Sequence, residues 1–200
     1  MNFKHLALGA ASALALGFGA SAALAANDST VIQDGWRNNA TVTQTGGANG
    51  KSTITQSGAN VNGAPGVASV TQAGAATNTS TINQVVGSLR ASATVSQSGS
   101  IANTASLTQA GAGAVAGVTQ ASSAAGTNTV TIGQSGNNGV QDQNALVSQT
   151  GDTNTVTITQ SQALSLSGTD ASVTQVGHNN SATVNQVGDS SYAIVSQSGN

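Results

Sequence analysis

From Ser29 to the C-terminus, small or apolar residues alternate with hydroxyl residues at a period of two, and each alternating run closes on a glutamine. Fourteen of the seventeen glutamines have Val, Ile or Leu two residues before them: Gln33, Gln44, Gln56, Gln72, Gln84, Gln97, Gln109, Gln120, Gln134, Gln149, Gln160, Gln175, Gln186 and Gln197. The residue four before is always small or β-branched, and at eleven of the fourteen sites the residue two after is Gly. Period-two alternation places positions −4, −2 and 0 on one face of a strand and positions −3 and −1 on the other. The first face reads Ala/Ser, Val/Ile/Leu, Gln. The second is mostly Thr or Ser, as in Thr41-Val42-Thr43-Gln44 and Thr157-Ile158-Thr159-Gln160. β-Branched side chains pack well on a pleated surface, and the following Gly can take the positive φ that ends a strand. The pattern predicts about fourteen strands of about five residues each. Asn adds a second mark six residues before the Gln, at Asn38, Asn78, Asn103, Asn128, Asn154 and Asn180.

Eight of the thirteen spacings between these glutamines are 11 or 12 residues, so the chain is an internal repeat. A sandwich or closed barrel needs larger inward side chains than Ala, Val and Gln to fill its core. In a β-solenoid, equivalent strands of successive coils stack about 4.8 Å apart and like residues lie above like. Stacking also resolves the burial of glutamine, because an amide column bonds along its own axis where a lone buried amide would leave groups unpaired. The expected fold is therefore an all-β solenoid with about fourteen short strands in about seven coils, becoming cross-β on assembly. Its apolar side chains are small, and their burial alone does not offset the conformational entropy lost by so long a chain. The isolated chain is therefore expected to be metastable, with stacking of further chains on the end coils supplying the rest.

At the N-terminus, Lys4 and His5 precede an apolar run from Leu6 to Ala20, and Ala23-Leu24-Ala25 offers small residues at −3 and −1. Residues 1–25 read as a secretory signal peptide and 26–200 as a single repeat domain. Only 5% of residues are charged, 2% are aromatic, and none is Cys, with a formal net charge of −2. A chain without a basic stripe has no means of neutralising phosphates, which argues against nucleic-acid binding. Export without cysteine leaves no disulfide framework. Beyond the signal, His178 is the one histidine, so no metal site is expected, and it reads as a solvated turn residue in Gly177-His178-Asn179-Asn180. Gly46-Gly47-Ala48-Asn49-Gly50 lacks the Lys-Ser/Thr of a phosphate loop and reads as a turn. The many hydroxyls have no partnering base, so no catalytic residue, cofactor or small-molecule substrate is expected.

The motif Gln-x-Gly-x-x-Asn-x-Ala-x-x-x-Gln is similar to the repeat of curlins, the subunits of curli amyloid. It occurs in full from Gln33 through Gly35, Asn38 and Ala40 to Gln44, and from Gln175 through Gly177, Asn180 and Ala182 to Gln186. Gln149, Gly151, Asn154, Val156 and Gln160 match with Val for Ala; Gln186, Gly188, Ser191, Ala193 and Gln197 match with Ser for Asn. The resemblance implies a subunit secreted through an outer-membrane curli export pore, started by a nucleating curlin subunit, and polymerised at the bacterial cell surface into fibres for biofilm matrix and adhesion. Its partners would be further copies of itself, and the fourteen repeat glutamines with Asn38, Asn154 and Asn180 would form the ladder of the amyloid core. Regular first and last repeats point to the major subunit type over the nucleator. The chain departs from the curlin pattern in its longer gaps, near 62–67, 121–127, 136–145 and 161–170, and in having almost no aromatics.

Asp34, Asp152 and Asp189 each follow a repeat Gln closely. They are candidate charge gatekeepers that slow premature assembly, or else simply solvated turn residues. Two rival functions share the same composition. A Thr-rich solenoid could bind ice or another surface, but that needs Thr concentrated on one face, whereas Thr and Ser pairs fall on alternate strands alike. A low-complexity surface adhesin without ordered assembly is the other.

Overall fold

The computed structural model describes residues 27–35, 38–46, 49–58, 66–74, 77–85, 90–99, 102–123, 126–136, 142–162 and 168–199. The expected signal peptide and the tips of the longer gaps lie outside the described residues.

Among the described residues fourteen strands follow one another: β1 (Asp28–Gly35), β2 (Asn39–Thr45), β3 (Lys51–Gly58), β4 (Val67–Ala73), β5 (Thr79–Gln84), β6 (Ser92–Gly99), β7 (Asn103–Ala110), β8 (Ala114–Ser122), β9 (Asn128–Gly136), β10 (Gln143–Asp152), β11 (Thr155–Gln162), β12 (Thr169–His178), β13 (Ser181–Val187) and β14 (Tyr192–Ser198). Odd-numbered strands form one seven-stranded sheet and even-numbered strands the other, each in sequence order. All twelve strand pairings are parallel. Each coil gives one strand to each sheet, so the chain is an all-β solenoid of seven coils, about 34 Å tall at the usual strand spacing. The strands run from six to ten residues, longer than the expected five. Stacking explains the difference, since a neighbouring coil pairs the backbone beyond both ends of the alternating run, as in Gln143↔Thr169 and Asp152↔His178.

Register follows the repeat. Gln lies on Gln and aliphatic on aliphatic at every step, for example Val156↔Val130, Ile158↔Ile132 and Gln160↔Gln134. Positions −4 and −2 of both sheets interlock in a single core. The two sheets are unequal there. The odd sheet places Ile54, Ile82, Leu107, Ile132 and Ile158 against Val70, Val95, Val118, Val147 and Val173 of the even sheet, and all ten are buried. Longer side chains facing shorter ones fill a narrow space without voids, which equal residues on both sides would leave or overfill. In the end coils Val31, Ala193 and Val195 are only partly buried, because no further coil covers them.

Two of the Gly that follow a Gln have two reasons to be Gly. Gly151 and Gly177 have φ of +106° and +102°, a region that L side chains rarely adopt. A Cβ on Gly151 would also collide with the carbonyl oxygen of Gly177 in the next coil, and one on Gly177 with that of Gly199. Among the described residues no helix is long and apolar enough to cross a membrane.

Candidate functional site

Glutamine at the end of each inner face is held by its strand where the two sheets converge. Gln33, Gln56, Gln84, Gln109, Gln134, Gln160 and Gln186 stack on the odd sheet, and Gln44, Gln72, Gln97, Gln120, Gln149, Gln175 and Gln197 on the even sheet. Within each column every Nε2 donates to the Oε1 of the next coil, twelve bonds in all at 2.6–3.0 Å. The second hydrogen of the amide crosses to the opposite sheet. From Gln56 to Gln197, every Nε2 also donates to a backbone carbonyl of the facing strand at 2.9–3.3 Å, such as Gln84 to Val67 and Gln149 to Thr129. From Gln56 onward each amide thus joins successive coils and clamps the two sheets together. Eleven of the fourteen are buried; Gln33, Gln44 and Gln197, in the end coils, are partly exposed. Full pairing is what makes such burial tolerable, since an unpaired buried amide costs about 1–3 kcal/mol per group.

The asparagines form a third column, on the odd sheet alone. Asn78, Asn103, Asn128, Asn154 and Asn180 stack six residues before their glutamines. Asn103 Nδ2 donates to Asn78 Oδ1 at 3.1 Å, Asn128 to Asn103 at 3.2 Å, and Asn180 to Asn154 at 3.1 Å. Their Oδ1 atoms also accept backbone N–H groups from the next coil: Asn103 N to Asn78, Asn154 N to Asn128 and Asn180 N to Asn154, at 3.0–3.2 Å. Asn27 obeys the same spacing before Gln33 and accepts Gly50 N at 3.2 Å, although it is not among the residues picked out from the sequence. Gly50 interrupts the column, and a Cβ there would press on Asn27 Oδ1. Asn38 stands apart, on the even sheet. Its Nδ2 donates to Asp34 O within its own coil, and Gly66 occupies the equivalent place in the next one. From there the even sheet carries Gly66, Ala91, Ala114, Gln143, Thr169 and Ser191 in place of Asn.

The three aspartates have different surroundings. Asp34 and Asp189 are exposed, in keeping with a solvated position, but Asp152 is 2% exposed and is not a solvated turn residue. Its Oδ1 accepts Ser123 N at 3.3 Å, and its Oδ2 lies 3.3 Å from Nδ1 of His178 in the next coil. His178 remains half-exposed at the end of β12. Among the described residues no group of three metal-ligating side chains occurs.

This geometry defines a class: a parallel two-sheet β-solenoid whose repeats are bonded through buried amide columns. Residues 170–199, which hold Gln175, Gln186 and Gln197, match the family model of the curlin-associated repeat. That match supports a curlin-like relationship. No curated protein and no solved structure matches the chain.

Proposed function

We propose that this chain is the structural subunit of an extracellular, curli-like fibre, built by stacking copies end on end in biofilm matrix and at adhesive cell surfaces. The observation that carries this reading is that the two Gln columns run without a break from the first coil to the last, while β1, β2, β13 and β14 each have one unpaired edge. An open parallel edge over exposed core residues is a template for the next strand. Residues 1–25 act as the signal that exports the 26–200 repeat domain, and an outer-membrane curli pore and a nucleating subunit are the partners this role requires. The curlin-associated repeat and the solenoid support a structural role rather than an enzymatic one. Fibre diffraction from the aged, purified chain tests the proposal. A meridional spacing of about 4.7–4.8 Å is expected, and its absence overturns it.

One observation favours a second reading, attachment to ice or to another regular surface. Hydroxyl pairs do face outward on both sheets, but the odd sheet adds a further rank, Thr79, Thr104, Thr129 and Thr155, which the even sheet lacks. Thermal hysteresis from unassembled chain, without fibres, is the result that would favour it.

A further inference from the structure

We infer that the two ends of the solenoid are chemically unlike and mutually complementary, so that a second copy docks first coil onto last coil and the fibre has a fixed polarity. This rests on the fibre reading above and goes beyond it, because an open sheet edge alone permits first-on-first and last-on-last contacts as well.

The direction of the side-chain bonds carries the inference. In both Gln columns the Nε2 donor always points toward the C-terminal coil, without exception over twelve bonds. In the Asn column the order is reversed, and Oδ1 is the atom that points toward the C-terminal coil, receiving the next coil's backbone N–H. The last coil therefore ends in two donors and one acceptor. Gln186 and Gln197 each spend one Nε2 hydrogen on the facing strand, at Asp170 O and Ser181 O, and the axial hydrogen points onward. Asn180 Oδ1 occupies the place where its equivalents in coils one, three, five and six accept a backbone N–H. The first coil presents the converse: Gln44 Oε1, which accepts a hydroxyl from Ser29 at 2.8 Å and keeps a second lone pair, and the backbone N–H of Asn27. First-on-last docking continues all three columns, setting Gln186 against Gln33, Gln197 against Gln44, and Asn180 Oδ1 against Asn27 N–H. Last-on-last contact sets amide donors against donors, and first-on-first sets carbonyls against carbonyls, in a place that excludes water. Such mismatches leave polar groups unpaired, which is how an interface rejects the wrong partner.

Blocking one end at a time tests this. Asn180 N and Gly188 N reach back to the preceding coil, so alternation turns the N–H groups of Thr183, and likewise Ser196, toward the open end. T183P with S196P in the full chain closes the C-terminal end. At the other end Asp28 N and Asn39 N point to the second coil, so S29P with A40P closes the N-terminal end. A compact domain fused after residue 200 or before residue 27 gives the same blockade where proline disturbs a coil. Sedimentation is run above the soluble concentration left by wild-type fibres, which equals the dissociation constant of one end contact. Each blocked chain alone is expected to stay monomeric, and the two mixed are expected to form a dimer and nothing larger. Q197E in the chain with the free C-terminal end keeps the Oε1 that accepts from Gln175 but turns a carboxylate oxygen outward, and should weaken the mixed dimer at least tenfold. A dimer formed by either blocked chain alone overturns the polarity and leaves the fibre reading standing. A wild-type chain that never assembles overturns both.

Discussion

Replacing Gln149 with Leu tests whether the amide columns, rather than the aliphatic core, decide the cost of a defect. Gln149 has no exposed surface and sits in the middle of the even-sheet column. It accepts from Gln120 at 2.9 Å and donates to Gln175 at 2.9 Å and to Thr129 O at 3.3 Å. Leucine has similar volume and gains apolar contact, so packing changes little. What changes is that the axial hydrogen of Gln120 Nε2 and the Oε1 of Gln175 lose their partners inside a dry interior. Two orphaned groups at about 1–3 kcal/mol each give a penalty of about 2–6 kcal/mol. Because each 1.4 kcal/mol is tenfold, the soluble concentration in equilibrium with fibres should rise by about thirtyfold to about twenty-thousandfold. The assay is quantification of soluble chain after long incubation with seeds. Gln197→Leu gives a sharper comparison. In a single chain Gln197 is partly exposed and its one axial bond comes from Gln175, so its loss should cost less there; between stacked copies it is interior and should cost as much as Gln149. A soluble concentration for Gln149→Leu within threefold of wild type would refute the reasoning.

Four further outcomes are expected. Gly151→Ala, which puts a Cβ against the carbonyl oxygen of Gly177 at a φ of +106°, should abolish seeded growth, whereas Gly133→Ala, with open space around its Cβ, should leave the rate within twofold of wild type. Asn128→Ala removes bonds to Asn103 Oδ1 and Gly151 O and the acceptor for Asn154 N, a loss of about 2–4 kcal/mol in guanidinium denaturation of fibres, while Asn38→Ala should fall under about 0.5 kcal/mol. Asp34→Asn and Asp189→Asn, at exposed positions, should shorten the dye-binding lag, and an unchanged lag for both would count against a gatekeeping role. Asp152→Asn should leave the lag unchanged and lower fibre stability, since the buried carboxylate faces Ser123 and His178 within its own chain.

The inner face of every strand was legible from the sequence because period-two alternation and the Gln spacing are local, repeated signals. The register of Gln149 on Gln175, or Ile158 on Ile132, follows from repetition alone. Three things were not legible in that way. The segregation of Asn to one sheet depends on which strands become neighbours, so Asn38, identical in local motif to Asn180, has Gly66 where Asn180 has Asn154. The burial of Asp152 likewise arises from the coils on either side, which supply Ser123 N and His178, residues 29 and 26 positions away in the chain. The division of the core into an Ile/Leu side and a Val side was present in the sequence as an alternation between successive repeats, but its meaning appears only when odd and even strands face each other.

Each Gln amide has one hydrogen along the stack and one across it, and this arrangement sets how a fibre would carry load. Tension along the axis is shared at every step by two strand ladders and two or three amide columns acting in parallel, so all of them must part together. Strength then depends on the composition of the weakest step and not on fibre length. Within a subunit Gly50 marks the step with the fewest side-chain bonds, since its coil contributes no side chain to the Asn column and the strand that follows it in the odd sheet, β5, is the shortest of the fourteen, but the covalent chain crosses that step as well. Fractured fibres should therefore break between chains, at whole numbers of subunits, because inside a subunit the peptide chain also crosses every coil junction, whereas between copies only hydrogen bonds and packing do.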